Sequence, residues 1–531
     1  MLKMPAHAKK STALSHGRPG SMASAQSSLE HMNGAGSVSI AGNLFRSSGM
    51  VFLFQVLGIV AGFFLQAFLS RTCGAAGLGG YTLFVSWLGI LSILTVPGLE
   101  GTLVYYLPRY ERDGGSRRKV VRVSLLTAGA ISSISALALL AGGGRAFIWA
   151  GLPSSARVPF AFSILVFSLG RLLDSVFLGM KDASAAGYFN VIRTILRVFF
   201  CLPIFLLPRA RWILLFCAVA AESCITLLLR YRGIRENYLK LLGQGSVTGR
   251  ETRLSGRMIL MTALPMFGIS IVDSLYPFLD KAILGAMLPL ECVAIYRVAE
   301  SVASLNSVFV SPFIAFWPYI SKLYSEERLD ELRDAYRSIN LIIVVFMIPL
   351  TLILLEMSGY ILSLFGNAFA LRGRTALLIL ALGCVVDAVT GPAGAVLRMT
   401  RHSRLSLLIN MLLLVAYIAL SFMLVGKYGL LGIAAAKAAV MVMGNGANVI
   451  ANYLLLRTFP YTWKHGLLLA FGMVLFAVSL LLPGSGSGIE THCAVALAEA
   501  AAFLGFAFII LGAQRKRMLE QFRSLLPAAW S

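Results

Sequence analysis

Charge is scarce in this chain: Asp, Glu, Lys and Arg make up 13% of 531 residues, against 58% hydrophobic residues and a mean hydropathy of +0.81. A water-soluble fold of this size could not hide so much apolar surface. Acid is scarcer than base, 23 residues against 46. No GxxxxGK[ST] phosphate loop occurs, which excludes ATP hydrolysis by that route, and the six histidines form neither an HExxH nor a paired site. The seven cysteines are scattered without metal-ligand spacing and read as small apolar packers, so neither metal nor cofactor is expected. The glycine run Gly484 to Gly488 follows no strand and reads as a turn. A separate soluble domain is also lacking.

What the chain does contain is long apolar runs. Spans long enough to cross about 30 Å of hydrocarbon fall at 47–70, 79–106, 119–142, 157–180, 183–208, 212–231, 257–280, 291–317, 339–357, 375–399, 405–426, 429–456, 465–483 and 490–513. The expected fold is therefore an all-α polytopic membrane protein with about 14 transmembrane helices. Lys and Arg sort by side: with those at span ends counted in the adjoining loop, 32 fall on the side of the N-terminus, 9 on the opposite side, and five (Arg171, Arg193, Arg197, Arg297, Lys437) deeper inside spans. Positive residues stay in the cytoplasm, so both termini are expected there. Clusters such as Arg117, Arg118, Lys119 and Arg122 hug span ends, which fits membrane lipid headgroups rather than nucleic acid. Residues 1–45 and 514–531 read as cytoplasmic tails, the first of them disordered and the second basic.

A repeat lies behind the spans. Leu69 to Tyr81 aligns with Leu284 to Tyr296 at an offset of 215, Leu178 and Met180 with Leu397 and Met399 at 219, Asn190 with Asn410 at 220, and Leu227 to Arg230 with Leu454 to Arg457 at 227. The steady drift places spans 1–6 over spans 7–12. Two six-helix lobes are expected, 46–231 and 257–456, joined by a basic cytoplasmic linker at 232–256 and followed by two C-terminal helices within 457–513. Transporters built from repeats bind substrate between their halves, near the bilayer midplane.

Residues Gly58 to Gly62, Ser70, Arg71, Gly74, Gly77, Gly79 and Tyr81, then Gly98 and the run Leu103 to Tyr110 (LVYYLPRY), carry a resemblance. So do Asp280 to Gly285, Ala294 to Tyr296, Pro318 to Glu326 (PYISKLYSE) and Leu364 to Gly366. Over about residues 43–456 the chain resembles the polysaccharide-flippase branch of the multidrug, oligosaccharidyl-lipid and polysaccharide exporter superfamily. That resemblance implies a Wzx-type flippase of the bacterial plasma membrane. Such a protein turns an undecaprenyl-diphosphate-linked oligosaccharide between leaflets by alternating access and is not an enzyme; polysaccharide-assembly proteins are its possible partners.

The charged residues bear on that task independently. An ionisable side chain at mid-bilayer costs roughly 2.5–3.5 kcal/mol on insertion scales, so each asks for a reason. Arg193 and Arg197 lie one turn apart on one face. Two like charges there ask for an anion, and guanidinium forks suit a diphosphate. Glu222 could instead neutralise one of them. Arg171 with Asp174, and Arg297 with Glu300, have the spacing of helix ion pairs. Lys437 and Asp387 lack local partners, and could neutralise each other or line the cavity. Arg193, Arg197, Arg171, Arg297 and Lys437 are thus the substrate-binding candidates.

Coupling to protons or Na⁺ needs an intramembrane carboxylate. Asp273 and Asp280 share a face of a span containing Pro265 and Pro277, which permit a kink. Glu222 and Asp387 complete the ion-coupling set, with Glu100 behind them. Ser325 to Asn340 reads as a short amphipathic surface helix. A drug or cation exporter of the same superfamily stays open, because intramembrane acids outnumber bases. A membrane polymerase or glycosyltransferase would need a larger outer loop than those present, such as 143–156.

Overall fold

A computed structural model describes residues 21–110, 113–142, 147, 151–180, 182–205, 211–237, 255–309, 317–400, 402–481 and 488–512. Among the described residues every element is helical and there is no strand. Ten helices among the described residues are long and apolar enough to cross a membrane. Helix and closed barrel are the only ways to satisfy a backbone in lipid. In chain order the α-helices are α1 (Ser21–Thr95), α2 (Leu99–Arg109), α3 (Gly114–Gly142), α4 (Arg157–Gly179), α5 (Ala183–Cys201) and α6 (Arg211–Asn237). They continue as α7 (Gly256–Met287), α8 (Leu290–Ala303), α9 (Trp317–Ser325), α10 (Leu329–Glu356), α11 (Ser358–Ser363), α12 (Asn367–Thr390) and α13 (Ala393–Met399). The last four are α14 (Ser403–Tyr428), α15 (Leu430–Leu456), α16 (Trp463–Leu481) and α17 (Ile489–Leu511).

Glycine decides where the apolar runs turn. The first two spans run on as one long helical stretch broken at Gly74, whose φ of 73° and ψ of 179° lie outside helical geometry. Gly98, at φ 67°, follows Pro97 and separates α1 from α2. Gly391 and Pro392 split the tenth span into α12 and α13. The helix also reaches back to Ser21, so residues 21–45 are helical where a disordered tail was expected. No proline occurs between Pro19 and Pro97, and propagating an existing helix costs far less than nucleating one. Likewise 325–340 is no separate surface helix: from Leu329 it is the opening of α10, with Asp330 and Glu331 in its first turn. The proposed linker opens as helix up to Asn237; 238–254 and 513–531 lie outside the described residues.

Helices α1 to α6 pack together as one lobe and α7 to α15 as the other. A core of Leu69, Phe84 and Phe216 from the first lobe joins Ile295, Tyr296 and Leu377 from the second. Lipid tails are as apolar as leucine, so packing and dispersion, rather than transfer from water, hold such helices together. Close approach needs small residues. A Cβ on Gly79 would sit 1.8 Å from the Leu290 carbonyl oxygen, and one on Gly98 would sit 1.9 Å from that of Ala263. Polar contacts also cross between lobes: Tyr106 and Thr262 hydroxyls lie 2.9 Å apart, and Ser301 donates to Gln66 Oε1 at 3.0 Å. The two C-terminal helices pack on α10, with Leu468, Phe503 and Ala507 against Leu341, Val344 and Ile348. Outward-facing Phe64, Leu137, Leu264 and Ile509 stay exposed, as lipid contact requires.

Candidate functional site

The charges inside the first lobe form a ladder. Arg171 on α4 makes a bidentate pair with Glu100 on α2, Nε to Oε1 at 2.6 Å and Nη2 to Oε2 at 2.9 Å, and donates from Nη1 to Ser92 at 2.8 Å. Asp174, one turn along α4, takes Arg230 of α6 as its partner, Nε to Oδ1 at 2.8 Å. The expected Arg171–Asp174 pair is therefore replaced by two pairs between helices. Their distance in sequence, 71 residues for Arg171 and Glu100, hid them from spacing arguments.

Arg197 on α5 donates from Nε to Glu222 Oε1 at 3.0 Å and from Nη1 to the Tyr81 hydroxyl at 2.8 Å, while its Nη2 also meets Glu222 Oε1. Glu222 is fully buried. Arg193 differs from the others. It stands ten residues into α5, roughly 15 Å along the helix, with its guanidinium 6.0 Å from the Phe167 ring. Among the described residues no carboxylate lies within ion-pair distance of it, and the Arg197–Glu222 and Arg230–Asp174 pairs flank it. An unpartnered guanidinium in a membrane interior is expensive to keep, and it can recruit an anion.

The second lobe holds a tighter knot. Asp280 on α7 is fully buried and accepts from the Tyr296 hydroxyl at 2.8 Å and from Lys437 Nζ of α15 at 2.8 Å. Its donors come from within the bundle, Tyr296 on α8 and Lys437 on α15. Glu300 on α8 binds Lys281 Nζ at 2.6 Å and Arg297 Nη1 at 3.0 Å, and also meets Lys437. The expected Arg297–Glu300 pair is present. Lys437 is bound to Asp280 and Glu300 rather than to Asp387, so both carboxylates compete with any substrate for it.

Asp387 on α12 accepts from Asn445 Nδ2 at 2.9 Å. It lines a cavity of about 270 Å³ with Tyr276, Asn410, Asn445 and Asn448, between α7, α12, α14 and α15. Tyr276 stacks on Tyr417, ring centroids 4.9 Å apart, between this cavity and the Asp280 knot. One carboxylate among amide oxygens is a donor set for a proton or a hard monovalent cation. Among the described residues no group of three or more His, Cys, Asp or Glu could hold a metal ion. Asp273 lies on α7, and its side chain is outside the described residues.

Lys281, Arg230, Tyr81 and Ser92 escaped sequence reasoning. Lys281 and Arg230 stand beside loops and count there as topogenic charges, yet only 2% and 4% of their side chains are exposed. The adjacent acid Asp280 was the one available signal for Lys281. Nothing local marks Arg230, whose acid is on another helix.

Comparison with known proteins places these features. The family described as polysaccharide biosynthesis protein matches residues 44–324, and the MatE family matches 265–423. A Shigella flexneri protein described as an O-antigen transporter is 23% identical over 383 residues, covering 69% of this chain and 87% of its own. Among solved structures, the lipid II flippase MurJ in an inward closed conformation superposes with a TM-score of 0.68 at 13% identity, over 86% of this chain and 99% of MurJ. An inward-facing multidrug resistance MATE family transporter gives 0.60 at 16% identity, over 76% and 94%. These two likenesses establish the two-lobe fold. With the family match spanning more than half of its length, the chain belongs to the polysaccharide biosynthesis protein family, among the membrane transporters of the multidrug, oligosaccharidyl-lipid and polysaccharide exporter superfamily.

Proposed function

We propose that this protein flips an undecaprenyl-diphosphate-linked oligosaccharide of the O-antigen class across the bacterial plasma membrane by alternating access, with both termini in the cytoplasm. The observation that carries this reading is Arg193, deep in the bundle, free of carboxylate partners among the described residues and one turn from Arg197. The two guanidiniums form an anion seat of a kind a neutral or cationic drug would not need. Arg171, Arg297 and Lys437, each bound to a carboxylate in this state, are the further candidates for the diphosphate. The O-antigen relative supports the substrate class.

Asp387 is the proposed coupling carboxylate, because it faces a polar cavity with amide neighbours and no cation paired to it among the described residues. Glu222 and Asp280 are occupied by cations in this state. The test is reconstitution in proteoliposomes with labelled undecaprenyl-diphosphate oligosaccharide, with and without a proton or Na⁺ gradient, beside efflux of a cationic dye. Lipid-linked sugar crossing without dye movement is expected. Dye export alone would overturn the reading and place the protein among the drug exporters.

A further inference from the structure

The first-lobe ladder has an uneven charge count. Four guanidiniums (Arg171, Arg193, Arg197, Arg230) face three carboxylates (Glu100, Asp174, Glu222), leaving one positive charge in surplus. A disubstituted diphosphate carries one negative charge on each phosphate, as a phosphodiester does. Its arrival would turn the surplus into a net negative charge, and a buried net charge in low dielectric is costly. Uptake of one proton restores neutrality.

Glu222 is the carboxylate placed to receive it. Its Oε1 takes both contacts from Arg197, while Oε2 is buried and has no hydrogen-bond partner among the described residues. Facing it are Arg193, Arg197 and Cys201 on α5, Tyr81 on α1, and Ser223 and Thr226 on its own helix. No second carboxylate is among these, since Glu100 and Asp174 are held by Arg171 and Arg230. When Arg197 turns from Glu222 toward an anion shared with Arg193, Glu222 is left buried without a counter-charge. A carboxylate in that position takes a proton.

We infer that Glu222 is a resident counter-anion, exchanged for the substrate diphosphate on Arg197, and that it binds one proton as the exchange occurs. The proton comes from water on the loading side. On release Glu222 returns it to water and neutralises Arg197 again, so the empty carrier passes through its closed state without a bare guanidinium pair. This rests on the first-lobe arginines being the diphosphate site.

The experiment is calorimetric binding of a short-chain prenyl-diphosphate-linked N-acetylglucosamine to the full-length protein, run in buffers of different ionisation enthalpy so that protons are counted. Wild type is expected to take up one proton per probe bound. Glu222→Gln is expected to take up none, to bind about tenfold more tightly at neutral pH and to lose the rise in affinity at lower pH. Binding without proton uptake in wild type, or uptake persisting in Glu222→Gln, overturns the exchange. Should Glu222→Gln fail to fold, the wild-type proton count decides. Binding indifferent to Arg193→Ala and Arg197→Ala overturns the diphosphate site itself, a separate failure.

Discussion

Arg171 grips Glu100 with both ends of its guanidinium, at 2.6 and 2.9 Å, although Asp174 stands one helical turn away on the same helix. The bidentate geometry explains the choice. An acid one turn along α4 would satisfy a single N–H, whereas Glu100, projecting from α2, meets Nε and Nη2 in one plane while Ser92 takes Nη1. The pair therefore ties α2 to α4.

Removing one partner leaves the other charged and buried. Glu100→Ala or Arg171→Ala is expected to destabilise the protein by about 3–5 kcal/mol, and Asp174→Ala to do the same through Arg230. Glu100→Ala with Arg171→Leu should recover much of the loss. Thermal unfolding in detergent, followed by a size-exclusion readout, measures all of these.

Arg193 and Arg197 should separate stability from transport. Arg193 has no ion pair to lose among the described residues, so Arg193→Ala is expected to shift stability by less than about 1 kcal/mol while abolishing flipping. Arg197→Ala should abolish flipping and also cost about 3–5 kcal/mol, because Glu222 is left alone. Flipping assays on variants matched for membrane insertion check the pattern, and normal flipping with both replaced would remove the proposed seat.

Asp387→Asn is expected to insert and fold normally, since Asn445 can bond an amide as well as a carboxylate. Its flipping rate should lose part of its response to the imposed ion gradient, the proton carried with Glu222 accounting for the rest. Comparing rates at several gradient strengths decides the matter, and an unchanged response would shift coupling to another carboxylate.

Gly98→Ala should act on the closure of the lobes. The position has φ 67°, and the new Cβ would meet the Ala263 carbonyl oxygen at 1.9 Å, so strain and overpacking of about 1–3 kcal/mol fall on this contact. A Tyr106→Cys, Thr262→Cys pair should cross-link readily in the parent protein and several-fold less in Gly98→Ala.

Asp113, in the connection before α3, is held below the usual carboxylate range by the Ser116 side chain first and by the Ser116 N–H, which donates to its Oδ1 at 3.1 Å. A lowered value in the folded state means that the cap's contribution is present above the unfolded value, about 3.9, and is lost as pH falls through the folded one. Amide exchange at the start of α3, corrected for intrinsic rates, should accelerate below about pH 4 in wild type. Asp113→Asn should show no such step.

Much of this protein is legible in one dimension. A bilayer imposes a minimum apolar length on each crossing, and basic residues resist translocation, so the spans are written as local composition. Gly74 lies in the turn read between the first two spans, whereas the break at Gly98 falls inside 79–106, read as one continuous span. The partner of each charge is not legible in this way. Local spacing proposed Arg297 with Glu300 correctly and Arg171 with Asp174 wrongly, and the two cases look alike in sequence. Lys437 meets Asp280 across 157 residues, and Lys281, beside a loop, lies buried in the same knot. Which helix faces which, and at what rotation, follows from packing of whole surfaces. A few degrees of rotation moves a guanidinium from one carboxylate to another, so only the tertiary structure could choose the pairs and leave Arg193 without one among the described residues.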